Sequence, residues 1–201
     1  PPDAQTKAQE FPGFFQGAAG VAYFLLAYVK FSGDEATLKV VKKTLARLME
    51  DFRMKGATFV KDPTAPMELD FGVTGIALTF IKAYEVLGEA TYKDFATQVL
   101  RHFPRRYRRN KLNTAWGISG LGEVYIEAYR VFGDEEWLQR ADYIAQTLLA
   151  LTVHSRDGGQ GWFTDTDRGS TADLMLGISG VVHFLMRYLY PQKLGFPMLS
   201  V

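Results

Sequence analysis

The sequence contains no cysteine. Disulfides, thiolate nucleophiles and every cysteine-based metal site are thereby excluded, and the absence fits a reducing, cytoplasmic setting. Histidine is scarce, with three in 201 residues, and no two stand at the i, i+4 spacing of a helical metal motif. Neither charge dominates: 23 Lys and Arg against 22 Asp and Glu leave a formal net charge of +1. Nothing global therefore points to nucleic acid or to an anionic membrane surface. Long apolar runs are missing too. The nearest, "GVAYFLLAYVKF", is interrupted at Lys30, short of the roughly 20 residues that span a bilayer. The opening "PPDAQTKAQE" has neither the basic start nor the apolar middle of a secretory signal. It also lacks an initiating Met, and the chain reads as a piece of something longer.

What is present is periodic. Gly17, Gly72, Gly117 and Gly177 each open a Gly-x-x-Gly, in "QGAAG", "FGVTG", "WGISG" and "LGISG". The first three are each followed sixteen residues later by another glycine: Gly33, Gly88 and Gly133. The fourth copy runs instead into "YLYPQKLGFPMLSV", where Pro191 stops the helix. Self-similarity at a fixed offset marks a repeat architecture, and each unit reads as a helical hairpin.

The first helix of each hairpin is apolar on most faces, as in "GIALTFIKAYEVL" and "GVVHFLMRYLY", so it belongs between other helices. The glycine sixteen residues on is placed for a left-handed C-cap. Asp34 and Asp134, with Glu89 in the matching place, then stand as N-caps of the second helix. That helix is amphipathic, with Leu38, Val41, Leu45 and Leu48 in one copy and Leu138, Ala141, Ile144 and Leu148 in another. Buried inner helices alternating with solvated outer ones describe an all-α fold, an α/α toroid of helical hairpins or part of one. A plain solenoid or bundle is the alternative. Residues 1–201 form a single domain on this reading.

The paired glycines lie on one face of the first helical turn, where a missing side chain permits close backbone approach. Residues just before the first glycine then project toward the centre. Positions 16, 71, 116 and 176, with their predecessors, are where a site is expected.

The in-phase Gly-x-x-Gly starts, the glycine-acid hairpin turns and the ending "TADLMLGISGVVHFLMRYLYPQKLGFPMLSV" resemble the lanthionine synthetase C-like family over nearly the whole chain. The resemblance implies an α/α toroid that adds cysteine thiols to dehydroalanine or dehydrobutyrine in a ribosomally made precursor peptide, forming thioether rings. It also implies a zinc ion held by a Cys before one Gly-x-x-Gly and a Cys-His pair before the next. A further His before an earlier repeat would handle protons. In this sequence Gln16 stands in the place of that His, Asp70 in that of the first Cys with Phe71 beside it, and Ala115 and Trp116 in that of the Cys-His pair. Such a set cannot assemble a tetrahedral N/S zinc site, so no metal and no other cofactor is expected. The resemblance extends to the zinc-free cyclase domains at the C-terminus of class III multidomain lanthipeptide synthetases. Its partners would be a precursor peptide with its leader, and kinase and lyase domains of the same protein.

Without zinc, a Michael-type addition still needs a thiolate, an oriented acceptor and a returned proton. Asp70 is the carboxylate expected at an inner helix start, a base on one reading and a helix cap on the other; N-cap preference favours the cap. Gln16, Phe71, Trp116 and Asp173 are the candidate substrate contacts, Asp173 doubling as a turn residue. His102 suits the end of an outer helix, His154 falls in a polar loop, and His183 is expected as a satisfied core residue. The basic run from Arg101 to Lys111 could meet an acidic leader or another domain, or be a solvated connection. "SRDGGQGWFTDTDRGST" lacks the Gly-Lys-Ser/Thr of a phosphate loop and reads as a mobile edge loop over the ring's mouth. Three functions follow: a zinc-free thioether cyclase, an inactive scaffold that binds peptide and supports attached kinase and lyase domains, and an unrelated toroid glycosidase using Asp70 with Glu68 or Asp173. The first fits the motifs best. An arc of repeats would also expose apolar inner faces, so association is expected of the isolated piece.

Overall fold

The inner helices begin at the first glycine of each pair: α1 (Ala18–Ser32), α3 (Val73–Leu87), α5 (Ile118–Phe132) and α7 (Ile178–Leu189). The outer helices α2 (Glu35–Phe59), α4 (Ala90–Arg101) and α6 (Glu135–Ala150) alternate with them. These assignments come from a computed structural model, which describes residues 12–59, 68–103, 111–154, 158–164 and 170–197. Gly17, Gly72, Gly117 and Gly177 are the N-caps, in extended backbone.

Three inner helices close on left-handed glycines, Gly33, Gly88 and Gly133, with φ of 67°, 70° and 70°. Each donates its N–H to the carbonyl four residues back, satisfying an orphaned helix end. The chain turns at once into the outer helix. Asp34 accepts from the Thr37 amide at 2.9 Å and Asp134 from the Glu136 amide at 3.0 Å, so both cap as expected. Glu89 does not: its side chain makes no capping bond and instead pairs with Lys42 at 2.7 Å. A glutamate's extra methylene carries its carboxylate past the first-turn amides.

Within hairpins, α1 packs on α2, α3 on α4 and α5 on α6; between hairpins, α1 meets α3, α3 meets α5 and α5 meets α7. Among the described residues the fold is all-α apart from one small hairpin, and the inner helices pack in sequence order, α1 on α3, α3 on α5 and α5 on α7. Every residue from Thr74 to Ile81 in α3, and from Ile118 to Ala128 in α5, is buried. The outer helices contribute only a stripe, with Val41, Leu45, Leu48, Ala141, Ile144 and Leu148 in the core. The terminal members of the inner layer differ. α1 exposes Val21, Phe24, Tyr28 and Phe31, and α7 exposes Val182, Met186 and Leu189, the apolar faces expected at the ends of an arc.

The segment expected as a mobile edge loop is tied down in its described parts. β1 (Val153–His154) pairs antiparallel with β2 (Gln160–Gly161). Trp162 Nε1 donates to the Leu148 carbonyl at 2.7 Å, and the Thr164 carbonyl accepts from the Leu112 amide at 3.0 Å. Glycine richness hid these anchors, which depend on an indole and a carbonyl rather than on local propensity.

Candidate functional site

The loops before the four inner helices cross their own helix's first turn. A Cβ placed on Gly20, Gly75, Gly120 or Gly180 would overlap the carbonyl oxygen of Phe14, Leu69, Thr114 or Leu174, six residues back in each case. The second glycine of each pair is therefore required by its own preceding loop. In the last three pairs it also receives the loop of the preceding hairpin. Cβ of Phe14 presses on Gly75, Cβ of Leu69 on Gly120, and Oγ1 of Thr114 on Gly180. One residue type at one position thus joins loop to helix and repeat to repeat.

The same loops are stitched by main chain. Phe14 and Phe15 amides donate to the Asp70 carbonyl at 2.7 and 3.1 Å, and the Leu69 amide to the Ala115 carbonyl at 3.0 Å. The Thr114 and Ala115 amides donate to the Met175 carbonyl at 3.0 and 2.9 Å. This run of backbone bonds brings together the residues just before all four glycine pairs, the positions where the sequence places a site.

Two of the candidates meet there. Trp116 Nε1 donates to Asp70 Oδ2 at 2.5 Å, and the Phe71 amide donates to Asp70 Oδ1 at 2.7 Å. Asp70 is buried, with 4% of its surface exposed, while Trp116 is half-buried. The helix-cap reading of Asp70 gives way, because Gly72 occupies the N-cap and makes no side-chain capping bond. Around the pair, Lys111 Nζ lies 5.1 Å from the centre of the Trp116 ring. Burial, and then the negative charge of Asp70, push the Glu68 carboxyl above its ordinary range, with Lys111 opposing them.

The remaining candidates separate. Gln16 is exposed and Phe71 largely so, at 45%. Asp173 is exposed and closes its own turn: Oδ1 accepts from the Met175 and Leu176 amides at 3.0 and 2.6 Å, and Oδ2 from the Thr171 hydroxyl. The Thr171 hydroxyl, then the Leu176 amide, hold its carboxyl below the usual range. Asn113 closes the matching turn one repeat earlier, accepting from the Trp116 amide at 2.8 Å. His102 ends α4 and is exposed, His154 is exposed beside Gln160, and His183 lies 2.7 Å from Glu123. Within the basic run, Arg101 pairs with Glu136 at 2.7 Å, while Arg105, Arg106, Arg108 and Arg109 lie outside the described residues.

Among the same loops, though lined by neither Asp70 nor Trp116, opens a cavity of about 980 Å³. Its walls come from all four loops and from α1, with Phe14, Phe15, Gln16, Leu69, Thr114 and Met175 among them, and it is closed on one side by Phe196 and Pro197. Deeper along the inner helices lies a charged cluster that sequence reading passed over. Arg187, fully buried, donates to Glu123 Oε2 and Glu127 Oε2, each at 2.7 Å, and to the Leu194 carbonyl at 3.0 Å. Glu127 also pairs with Arg130 at 2.6 Å, and Arg130 reaches Glu85, which Lys82 and Lys30 share. Burial opposes ionisation of Glu85, but Lys82, Arg130 and Lys30 together draw its pKa down to about 2. The available signal was the i, i+4 pair Glu123 and Glu127 inside an otherwise apolar helix, matched by His183 and Arg187 four apart on the next inner helix.

Paired-glycine helix starts, left-handed hairpin glycines and loops meeting at one rim define an all-α hairpin-repeat protein. The model of the lanthionine synthetase C-like proteins matches residues 1–201, and the chain belongs to that family. A cyclase-type function comes with the membership, and the glycosidase reading loses its ground. No curated protein matches the chain. The family's zinc does not fit the side chains present. Indole nitrogen is a donor without a lone pair to offer and Ala115 has no ligand atom, which leaves Asp70 as the one possible ligand among the three positions, too few for a zinc site. Among the described residues no helix is long and apolar enough to cross a membrane.

Proposed function

We propose that this chain is a zinc-independent thioether cyclase domain, adding cysteine thiols to dehydroalanine or dehydrobutyrine in a ribosomally made precursor peptide. The observation that carries the reading is the meeting of Asp70 and Trp116 at the rim of a family cyclase, on the positions where the family's metal ligands would stand. Sulfur bonds to the acceptor's β-carbon, the alkene pair moves to the α-carbon, and the proton lost by sulfur returns there. No oxidant or reductant is needed. Each Asp70 oxygen accepts one N–H and keeps a second lone pair, so the carboxylate can take the thiol proton while Trp116 holds it in place. Orientation of thiol and alkene supplies the rest, since bringing reactants into register is worth several orders of magnitude. Precursor peptide with its leader, and kinase and lyase domains, are the partners in this proposal, and the compartment is the cytoplasm.

Ring closure leaves mass unchanged, so the test is alkylation of residual thiols after incubating a dehydrated, cysteine-containing precursor with the full-length protein. Mass spectrometry with and without a strong chelator should find thiols consumed in both cases and spared when this domain is deleted. Thiols lost equally without the domain would leave it a scaffold.

A further inference from the structure

We infer that Lys111 is a further catalytic residue of the Asp70–Trp116 site, its ammonium pairing with the substrate sulfur as the thiol gives up its proton; the inference rests on the cyclase reading. The chemistry calls for such a charge. A free thiol ionises at about 8.5 and a free aspartate at about 3.9, so passing a proton from one to the other runs uphill by about four to five pKa units. A fixed cation beside the sulfur narrows that gap, and thiols next to lysine ionise well below their free value.

Lys111 is placed to be that cation. Its carbonyl accepts the Ile118 amide at 3.1 Å, which pins its backbone to the first turn of α5. Its Nζ lies over the Trp116 ring, 5.1 Å from the centre. The ring is itself fixed, through Nε1 on Asp70 at 2.5 Å and through the Trp116 amide on Asn113 Oδ1 at 2.8 Å. One indole therefore carries a carboxylate at its edge and an ammonium over its face. Lys111 is half-buried and makes no ion pair among the described residues. The cations of the inner helices differ: Lys82, Arg130 and Arg187 each hold a carboxylate at 2.6 to 2.9 Å. An ammonium resting on an aromatic face is attracted without being neutralised, so it can take up a new anion without releasing an old one. Its field is felt locally. Burial and the charge of Asp70 raise the Glu68 carboxyl while Lys111 lowers it, so the charges of Lys111 and Asp70 reach the same group.

The step balances without a further reagent. The thiol proton passes to Asp70, sulfur bonds to the β-carbon, the alkene pair moves to the α-carbon, and Asp70 returns the proton there. Lys111 keeps its own protons throughout and faces the sulfur while it is negative.

The experiment follows thiol consumption by the full-length protein with a dehydrated, cysteine-containing precursor from about pH 6 to about pH 9, the rate without this domain being subtracted. Lys111→Met keeps the length of the side chain and removes its charge; Lys111→Arg keeps the charge. At about pH 7 the Met variant should close rings at least about tenfold more slowly, and the deficit should shrink below about threefold near pH 9, where water ionises the thiol unaided. The Arg variant should recover most of the rate at every pH. Lys111→Gln repeats the test if the Met variant does not fold. A deficit of one size at every pH marks a damaged platform rather than a missing charge, and overturns the inference. So does an Arg variant as slow as the Met variant. Closure that needs the domain but ignores Lys111 removes the inference and leaves the cyclase reading standing; closure that proceeds equally without the domain removes both.

Discussion

The two ends of the same inner helices are held by opposite means. At the N-terminal rim, neighbouring repeats are joined by backbone amides on backbone carbonyls and by side chains resting on glycine. Further along, the joints are side-chain ion pairs running from Lys30 and Lys82 through Glu85, Arg130 and Glu127 to Arg187 and Glu123. Main-chain joints do not care which side chains the loops carry. The rim can therefore carry Asp, Ala or Trp before its glycine pairs without a change of shape, whereas the charged end cannot change one member without stranding another.

Breaking the charged end should have the largest effect. Arg187→Met leaves Glu123 and Glu127 buried without their common partner, and removing one side of a buried pair costs about 3–5 kcal/mol. Urea unfolding should register that loss. At the rim, Gly120→Ala drives a methyl into the Thr114 carbonyl, and overpacking of this kind costs about 3 kcal/mol. Gly88→Ala meets no atom but must hold a positive φ of 70°, which costs about 1 kcal/mol. The difference between these two glycine variants separates crowding from backbone strain.

Acid should sharpen the contrast. Glu85 is ordinarily half protonated near 4.5 and in the folded protein near 2. A depressed folded pKa means stability that is fully present above about pH 4.5 and drains away as pH falls toward 2. Thermal melts across that window should steepen for the wild type and flatten for Glu85→Gln. Asp70→Asn removes the base; it keeps an acceptor for Trp116 Nε1 but turns an NH2 toward the Phe71 amide, at a stability cost of about 1–3 kcal/mol. If the carboxylate takes the thiol proton, ring closure should slow about a hundredfold or more at temperatures where the variant remains folded; an unchanged rate would assign Asp70 to holding Trp116 alone.

Most of the fold was legible because glycine at fixed offsets has few physical meanings. The left-handed caps at Gly33, Gly88 and Gly133 follow from spacing, and so do the N-caps at Asp34 and Asp134. The site was legible only as a set of positions. That Asp70 reaches Trp116, 46 residues away, depends on how two loops cross, and no local pattern encodes it. Asp70 and Asp173 looked alike as acids before a paired glycine, yet one is buried against an indole and the other closes an exposed turn. Arg187 sits inside a helix that is apolar on most faces, and its partners belong to a different repeat.

The rim bonds also have a direction. Each loop gives its amides to the carbonyl of the loop that follows, from Phe14 and Phe15 to Asp70, from Leu69 to Ala115, and from Thr114 and Ala115 to Met175. The coupling therefore runs like a row of railway carriages, every hook facing the same way. The Met175 carbonyl anchors the loop bearing Trp116, the Ala115 carbonyl of that loop anchors the one bearing Asp70, and the Asp70 carbonyl anchors the loop of Phe14 and Phe15, so four loops far apart in sequence hang on one line of backbone bonds.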